Sequence, residues 1–558
     1  MEFNESKKLI NQIIQKDDMS VYQNQFDVYQ LLCAMLEDVS VDDRNSINYA
    51  MKVSKYTHEM AAYEAQQTGI GKYDDLYWKL LLIEARNRQL DSYFLYLEKN
   101  RDPDKKFYEP RRKKFLEFGI IQAMQSLIND EIDLLTISLC PGGGKSTAGI
   151  FFLSGCMGWW PEMPNLASAH SGILTRSFYD GVSQILSDSY EYAWQEIFSY
   201  VKFDPRRDTN SKEQTINVGS PKRFKSLTCR AINASLTGAT RCEKILYADD
   251  LCSGIEEALS KERLEKLWQT YNTDLKTRKK NQCKEIHIQT RWSTLDVVGR
   301  LQREHANDPR AKFIAIPAFD ENGESNFEYD YGVGFSKEYF EDMRRSMDDV
   351  SFRCLYMNQP IEREGLLYHE DELRRYMTLP LTKPDAVLSI ADTKNKGTDY
   401  FVQPVFYKYG DDYYMVDTIC SDEADYEIQY AKSVELIKAN KVDACRIESN
   451  NGGSRVAFEI NKRLKDSGYY CNITENYTTK NKETKIIVFA PWVKQHVIFK
   501  DSSLYGTKDD YGVFIAQLLS YTMAGKVTHD DCCDVVAMFA EWQGRPESIP
   551  TRVVSSLF

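Results

Sequence analysis

The sequence predicts an α/β protein with a helical N-terminal extension followed by two α/β domains, and three observations support this fold class. Apolar residues recur at three-to-four spacing within residues 1–114, which indicates helices. Between 115 and 360, short apolar runs alternate with helical patterns, as in a parallel sheet covered on both faces. From 386 to 542, three strand-like runs come first and strands then alternate with helices, which is the ribonuclease-H-like order.

The remaining segments lack such periodicity. Residues 361–385 are rich in charge and proline, so we interpret them as a linker between the two α/β domains. Residues 543–558 have the composition of an irregular C-terminal tail. The predicted organisation is therefore helical extension, first α/β domain, linker, ribonuclease-H-like domain and tail.

Composition narrows the class of protein. A chain of 558 residues exceeds one ordinary hydrophobic core. The formal net charge of −12 argues against DNA wrapped over the whole surface, although a local basic groove remains compatible with it. The 13 cysteines include no C-x-x-C pair, which favours reduced thiols over a disulfide framework or a zinc site. No long apolar run predicts a membrane span, and the N-terminus lacks the apolar core of a signal peptide.

The stretch "LLTISLCPGGGKST" predicts a loop that binds nucleotide phosphates. A strand-like run leads into a glycine-rich turn, and a helical pattern follows. Backbone N–H groups of such a loop cradle phosphates, while the lysine reaches the β/γ-phosphates and the hydroxyl binds Mg²⁺. The strict pattern has glycine at position 139, where this chain has Leu139, so a plain turn before a helix is the alternative. The predicted cofactor-binding residues are Pro141, Gly142, Gly143, Gly144, Lys145, Ser146 and Thr147.

A second pattern supports ATP binding. The apolar run "EKILYADD" ends in Asp249 and Asp250. In ATPases of this class, the first acid holds Mg²⁺ and the second orients the attacking water. The alternative is that both acids cap the following helix. The later run "IHIQT" ends in Thr290 and Arg291, a polar pair placed where the γ-phosphate can be sensed. Together these motifs favour ATP hydrolysis by a P-loop ATPase domain.

Carboxylates also follow the strands of the second α/β domain. Asp392 and Glu448 each lie at a strand end, and Asp530, Asp531 and Asp534 open a helix. Carboxylates gathered this closely repel one another unless cations neutralise them. Two Mg²⁺ ions would do so and would support cleavage of a phosphodiester. As alternatives, Asp530 caps a helix and Glu448 closes a turn.

Basic residues near these acids are candidate DNA contacts. Lys480, Lys482 and Lys485 lie between a predicted strand and a helix, where lysines neutralise backbone phosphates without reading sequence. A solvated helix start explains them equally well. The segment 105–115 combines basic and aromatic residues just before the first α/β domain. DNA, the adenine base and a neighbouring subunit are its candidate contacts.

Four segments together resemble signatures of the large terminase subunit of tailed bacteriophages. They are "LCPGGGKST", "INASLTGATRCEKILYADD", "QTRWSTLDVVGRL" and "YMNQPIEREGLLY", and the resemblance covers roughly residues 115–540. It implies that Asp392, Glu448 and either Asp531 or Asp534 form the nuclease site. The family's ATPase commonly departs from the strict loop pattern at its first position. It often has a basic residue within the loop that this chain lacks, and the candidates to replace it are Arg176, Arg241 and, first, Arg291.

The resemblance implies a viral DNA-packaging motor that hydrolyses ATP and cuts concatemeric DNA. The implied cofactors are ATP and Mg²⁺, with Mn²⁺ as an alternative at the nuclease site. The implied partners are double-stranded DNA, the portal protein of the procapsid, the small terminase subunit and further copies in a ring, with no membrane. The implied location is the host cytoplasm, transiently on the portal, and not the mature virion. The alternatives are a helicase or repair ATPase with a non-cutting ribonuclease-H-like module, and a structural viral component without ATPase activity.

Overall fold

The fold is that of a computed structural model in which most of the chain is described. The described residues are 3–37, 39–40, 43–234, 240–258, 260–347, 349–360, 367–393, 400–423, 425–449, 453–477, 481–522 and 530–544. Lys480 and the tail from 545 onward lie outside them. The chain divides into two compact units. Unit 1 comprises 1–253, 262–337 and 355–358, and unit 2 comprises 254–261, 338–354 and 359–558.

The helical N-terminal extension is confirmed. Its helices are α1 (Phe3–Lys16), α2 (Tyr22–Glu37), α3 (Arg44–Thr68), α4 (Gly71–Arg86) and α5 (Leu90–Leu97). The Asp43 side chain caps α3 by accepting a hydrogen bond from the Ser46 amide (3.1 Å), and α3 ends at Gly69 with a φ of 65°. Apolar side chains of the first four helices, among them Val28 and Leu80, form one buried cluster.

An eight-stranded sheet forms the α/β part of unit 1, and residues 254–261 within the same stretch of sequence belong to unit 2. From Tyr108 to Ala315 the elements are α6 (Tyr108–Glu117), α7 (Ile120–Ile128), β1 (Leu134–Ser138), α8 (Lys145–Trp159), β2 (Asn165–Ala169), α9 (Gly172–Ser187), α10 (Trp194–Ile197), α11 (Pro205–Asp208), β3 (Thr209–Asn210), β4 (Thr215–Ile216), β5 (Leu227–Ala231), β6 (Ile245–Asp249), α12 (Ile255–Ala258), α13 (Lys261–Thr270), β7 (Lys284–Ile288), α14 (Val297–Glu304) and β8 (Ala311–Ala315). The strand order is β3-β4-β5-β2-β6-β7-β1-β8.

The pairing of this sheet determines where its loops meet. The strands from β5 to β8 in that order pair in parallel, whereas β3 and β4 are antiparallel additions at one edge. Strand β7 lies between β1 and β6, so the carboxyl ends of these three strands lie side by side. All residues of the three strands are buried, as expected for a parallel sheet covered on both faces.

A seven-stranded mixed sheet organises unit 2, and it confirms the predicted ribonuclease-H-like fold. The remaining elements are α15 (Lys337–Ser346), α16 (Asp349–Leu355), β9 (Arg374–Tyr376), β10 (Ala386–Ala391), β11 (Phe401–Tyr409), β12 (Asp412–Ser421), α17 (Tyr426–Ala439), β13 (Ala444–Glu448), α18 (Gly453–Asp466), β14 (Asn472–Asn476), α19 (Lys482–His496), β15 (Val497–Lys500), α20 (Asp510–Ser520) and α21 (Asp531–Gln543). The strand order is β14-β13-β10-β11-β12-β15-β9. Strands β10, β11 and β12 are antiparallel, and β13 runs parallel to β10.

Part of the predicted linker belongs to this second sheet. Within 361–385, strand β9 pairs in parallel with β15 and forms the outer strand of the sheet. Residues 361–366 lie outside the described part of the chain. A strand of three residues holds too few side chains to show alternation, so a sequence pattern cannot reveal it.

Among the described residues, no helix combines the length and the apolar character needed to cross a membrane.

Candidate active sites

The predicted phosphate loop connects β1 to α8. Gly142 and Gly144 adopt φ angles of 76° and 95°, a region that side chains with a Cβ rarely occupy. Gly144 is the N-cap of α8, and Lys145 is its first residue. Leu139, which replaces the glycine of the strict pattern, is buried in the core. The loop therefore enters a helix N-terminus, where backbone N–H groups and the helix dipole favour an anion.

Aromatic side chains packed on this loop leave too little space for a Cβ at Gly142 or Gly143. A Cβ on Gly142 would lie 2.6 Å from the Phe335 ring, and a Cβ on Gly143 would lie 3.0 Å from the Phe327 ring. The Tyr329 hydroxyl donates a hydrogen bond to the Gly143 carbonyl (3.0 Å). The sequence motif gave no sign of these contacts, because the three aromatic residues are far along the chain.

Asp250 faces the loop lysine. The Lys145 ammonium lies 3.8 Å from the Asp250 carboxylate, and the lysine is largely buried. Asp250 has a φ of 41°, and its carboxylate accepts a hydrogen bond from the Thr290 amide (2.8 Å). The ends of β6 and β7 therefore position this acid beside the loop that follows β1.

Asp249 has the properties expected of a Mg²⁺ ligand. Burial and the charge of Asp250 raise its pKa to about 6, while the nearby Ser146 hydroxyl and Lys145 act in the opposite direction. Its Oδ2 accepts a hydrogen bond from Tyr247 (3.2 Å), and its Oδ1 is buried without a hydrogen-bond donor in the described structure. A carboxylate and a hydroxyl are ligands that Mg²⁺ prefers, so Asp249 and Ser146 fit this cation.

The three arginines proposed for the γ-phosphate each pair with a carboxylate. Arg291 is buried and contacts Asp296 (3.3 Å), and it also donates to Gln302 (2.9 Å). Arg176 pairs with Asp180 and Arg241 with Glu243. In the described part of the chain, each of these arginines therefore has a structural role as one half of an ion pair. The role of Arg291 at the γ-phosphate stays a prediction.

Asn358 belongs to the "NQP" segment and holds two strand ends together. Its side-chain amide donates to the carbonyls of Ser138 (3.2 Å) and Ile316 (2.6 Å), at the ends of β1 and β8. The Ile316 amide also donates to the Ser138 carbonyl (3.0 Å). Asn358 thus fixes the strand from which the phosphate loop departs, a role that the sequence did not reveal.

The predicted acids of unit 2 converge. Asp392 directly follows β10 and Glu448 ends β13, and the parallel pairing of these strands brings both to the same sheet edge. Burial, the charges of Asp534 and Glu448 and a hydrogen bond with Glu448 raise the pKa of Asp392 well above its ordinary value, against the opposing effect of Lys482. Burial also raises the pKa of Asp534, with a contribution from Glu448. Three carboxylates from separate segments therefore share one site.

Two lysines neutralise part of this charge. Lys482 Nζ lies 2.7 Å from Asp530, 3.1 Å from Asp531 and 3.8 Å from Asp534. Lys485 Nζ lies 2.6 Å from Asp534, and its side chain is 1% exposed. Burial lowers the pKa of Lys482, but the surrounding carboxylates outweigh burial and raise it. Both lysines, predicted as DNA contacts, thus bind acids of the cluster.

The contacts distinguish Asp534 from Asp531. One Asp531 oxygen accepts a hydrogen bond from the Tyr400 amide (3.0 Å), and the other pairs with Lys482 (3.1 Å). The charge of Asp534, by contrast, acts on Asp392 and responds to Glu448. Asp392, Glu448 and Asp534 therefore act on one another, whereas Asp531 anchors the backbone amide of Tyr400. Among the described residues, no group of three or more His, Cys, Asp or Glu side chains has the arrangement of a metal site as it stands. A shared cation at these carboxylates therefore stays a prediction, which their mutual repulsion favours.

Gly453 allows Glu448 to reach this position. A Cβ at Gly453 would collide with the Glu448 carbonyl, since the first turn of α18 packs directly on the end of β13. We expect Gly453→Ala to lower the stability of unit 2 by about 1–3 kcal/mol and to displace Glu448. The metal-dependent DNA cleavage that the sequence predicts should then fall, as measured on supercoiled plasmid.

The control for this variant is Gly71→Ala, since a Cβ at Gly71 would meet open space. Unchanged cleavage and stability in Gly453→Ala would show that the α18 backbone adjusts without moving Glu448.

Removal of the Lys485 charge should destabilise the acid cluster. Lys485→Met leaves the buried Asp534 carboxylate without its closest cation, and breaking a buried pair in this way costs about 3–5 kcal/mol. We expect a lower thermal transition of unit 2 in EDTA. The double variant Lys485→Met/Asp534→Asn removes both charges and should recover much of the loss. Equal transitions for the single variant and the wild type would contradict the pairing.

Comparison with known proteins agrees with the fold of unit 2. Residues 391–498 match the family model described as "Terminase Bacteriophage T7, Ribonuclease H-like domain". The matched range contains Glu448 and begins one residue before Asp392. No curated protein sequence matches the chain significantly.

The solved structures that the chain matches include two bacteriophage large terminases and one viral terminase nuclease domain. The large terminase from a thermophilic bacteriophage is 12% identical, with 75% of this chain and 98% of that chain covered and a TM-score of 0.37. The HK97 bacteriophage large terminase is 10% identical, with 81% and 99% covered and a TM-score of 0.32. The Mn-soaked human cytomegalovirus terminase nuclease domain is 14% identical, with 31% and 93% covered and a TM-score of 0.25.

Unit 2 has a ribonuclease-H-like sheet, and its residues 391–498 match the ribonuclease-H-like domain of a terminase model. The resemblance of the chain to the large terminase subunit of tailed bacteriophages, predicted from the sequence, is confirmed.

Proposed function

We propose that this protein is a viral DNA-packaging motor that hydrolyses ATP in unit 1 and cuts concatemeric double-stranded DNA in unit 2. The observation that supports it most directly is the convergence of Asp392, Glu448 and Asp534. The first two of these acids lie within residues 391–498, which match a terminase family model. A helicase with a non-cutting module would have no need of such a cluster.

ATP hydrolysis is assigned to the residues around the phosphate loop. The backbone of the loop binds the phosphates, and Lys145 neutralises the β/γ oxygens. Ser146 and Asp249 would hold Mg²⁺, which would supply positive charge to stabilise the charge that develops on the phosphates. Asp250 orients the attacking water, because the Thr290 amide and Lys145 hold its carboxylate at the sheet edge. These roles need positioning and charge rather than covalent chemistry.

DNA cleavage is assigned to the acid cluster of unit 2. Asp392, Glu448 and Asp534 would hold Mg²⁺ or Mn²⁺, which activates water and stabilises the leaving oxygen of a phosphodiester. Lys485 holds Asp534 in place, and the Tyr400 amide holds Asp531. Lys482 occupies the acidic pocket together with three aspartates, so it balances the charge of the cluster when no cation is bound.

The proposed partners follow from this function. They are double-stranded DNA, the portal protein of the procapsid, the small terminase subunit and further copies of the chain in a ring. The protein then works in the host cytoplasm, transiently on the portal, and is absent from the mature virion.

Two assays of the purified full-length chain test the proposal. ATP turnover with Mg²⁺ is followed by phosphate release, and nicking of supercoiled plasmid is followed with Mg²⁺, with Mn²⁺ and with EDTA. We expect ATP turnover, and cleavage that EDTA abolishes. Cleavage that is insensitive to EDTA, or no cleavage with either metal, would reject the nuclease assignment, and no turnover would reject the ATPase assignment.

A further inference from the structure

Arg111 lies against the phosphate loop, although it comes from α6, which precedes β1. A Cβ placed on Gly144 would lie 3.2 Å from the Arg111 Nε, so the arginine packs on the glycine directly before Lys145. The centre of its guanidinium lies 4.9 Å from the Phe107 ring and 5.0 Å from the Tyr329 ring. Tyr329 is also the residue that donates a hydrogen bond to the Gly143 carbonyl. Two aromatic rings thus hold this cation beside the loop.

The charge of Arg111 has no carboxylate partner in the described part of the chain. Its Nη1 donates to the Phe107 carbonyl (2.8 Å), while its buried Nε has no acceptor. The adjacent Arg112 differs, because it binds both oxygens of Asp91 (2.9 and 2.8 Å). The charge of Glu98 acts on Arg111. Its oxygens, however, accept hydrogen bonds from the backbone amides of Phe107, Tyr108 and Glu109.

A partly buried guanidinium without an anion is unfavourable in the absence of a ligand. Burial lowers the pKa of Arg111, which is the direction expected of a cation without a close anionic partner. A guanidinium has five N–H donors in a rigid fork, and this geometry matches phosphate oxygens. The aromatic rings restrict the side chain, so little entropy would be lost when an anion binds.

We propose that Arg111 contacts the α/β-phosphates of the bound nucleotide and adds a second positive charge to that of Lys145. This inference rests on the proposed ATP site. The α/β assignment follows from the position of Arg111 at the loop backbone, which cradles these phosphates, rather than at Lys145 and Asp250. The affinities for nucleoside diphosphates and for nucleoside triphosphates should therefore depend on Arg111 to a similar degree.

The test measures binding of fluorescent ADP and ATP analogues to the full chain. Arg111→Gln should raise both dissociation constants by about 10- to 100-fold, the range expected for charge-assisted hydrogen bonds. Arg111→Lys keeps the charge but loses the fork, and it should fall between the wild type and Arg111→Gln. Lys113→Gln removes the same charge from an exposed position of the same helix and should bind both nucleotides as the wild type does.

The thermal transition without nucleotide is measured for every variant, so a folding defect is separated from a binding defect. A lower transition with unchanged dissociation constants in Arg111→Lys would show a purely structural role and overturn the inference. An effect on ATP alone would overturn the α/β assignment, and an equal effect of Lys113→Gln would overturn the contact. Absence of nucleotide binding in the wild type would instead reject the proposed ATP site.

Discussion

Lys145→Ala is expected to abolish ATP hydrolysis while DNA cleavage continues. Lys145 is the first residue of α8 and is 7% exposed, with its ammonium directed toward Asp250 at 3.8 Å. Loss of one preorganised charge at a phosphate that gains charge in the transition state costs about 10²–10³-fold in kcat. Phosphate release measures the first activity. Plasmid nicking with Mn²⁺ measures the second, which depends on acids of the other unit.

The matched control is Lys52→Ala, which removes an exposed lysine from α3 in the same unit. It should leave both activities unchanged. ATP turnover that persists in Lys145→Ala would show that the glycine-rich turn is not the catalytic phosphate loop. Loss of both activities would show that the variant disturbs the whole chain, which circular dichroism and the thermal transition would reveal.

Much of unit 1 could be predicted because its signals are local. The apolar run of β1, the glycines and the helical pattern of α8 are contiguous, and so are β6 and its two terminal acids. Parallel pairing then forces the ends of these strands together, whatever the loops between them do. The sequence thus predicted the fold class and the segments whose ends meet at this edge of the sheet.

The contacts across the loop could not be predicted in the same way. Phe327 and Phe335 pack on the glycines, and Arg111 packs on Gly144, yet no spacing rule relates these positions to the loop. The sequence of 105–115 shows basic and aromatic residues, but this composition is compatible with contacts to DNA, to the adenine base or to a neighbouring subunit. Asn358 lies in the segment "YMNQPIEREGLLY", but only the fold shows that its side chain joins the ends of β1 and β8.

Unit 2 shows where helical spacing alone is insufficient. Asp531 and Asp534 are three residues apart and share one helix face, so the sequence left both as candidates. The Tyr400 amide distinguishes them, because it occupies one oxygen of Asp531. The sequence predicted Lys482 and Lys485 as DNA contacts because of their positive charge. The tertiary fold instead places both lysines against the acids.

Asp392→Asn is expected to abolish DNA cleavage and to stabilise the metal-free protein at the same time. The pKa of Asp392 is raised well above its ordinary value by burial and by Asp534 and Glu448. Its charged form therefore lowers the stability of the fold at neutral pH, where the carboxyl in the unfolded chain is fully ionised. Asparagine keeps the shape of the side chain without the charge. The thermal transition in EDTA should rise, while nicking with Mg²⁺ or Mn²⁺ falls by about 10²-fold or more.

The same variant tests the metal assignment through a readout other than activity. Mn²⁺ should raise the thermal transition of the wild type, because a ligand that binds only the folded state stabilises it. Mn²⁺ should raise the thermal transition of Asp392→Asn much less, since this variant lacks one of the three carboxylates proposed to bind the cation. Asp466→Asn removes an exposed acid of α18 and should behave as the wild type in both assays. Cleavage of DNA by Asp392→Asn at the wild-type rate would show that the three acids do not form a common metal site. An increase in its thermal transition with Mn²⁺ as large as that of the wild type would show the same.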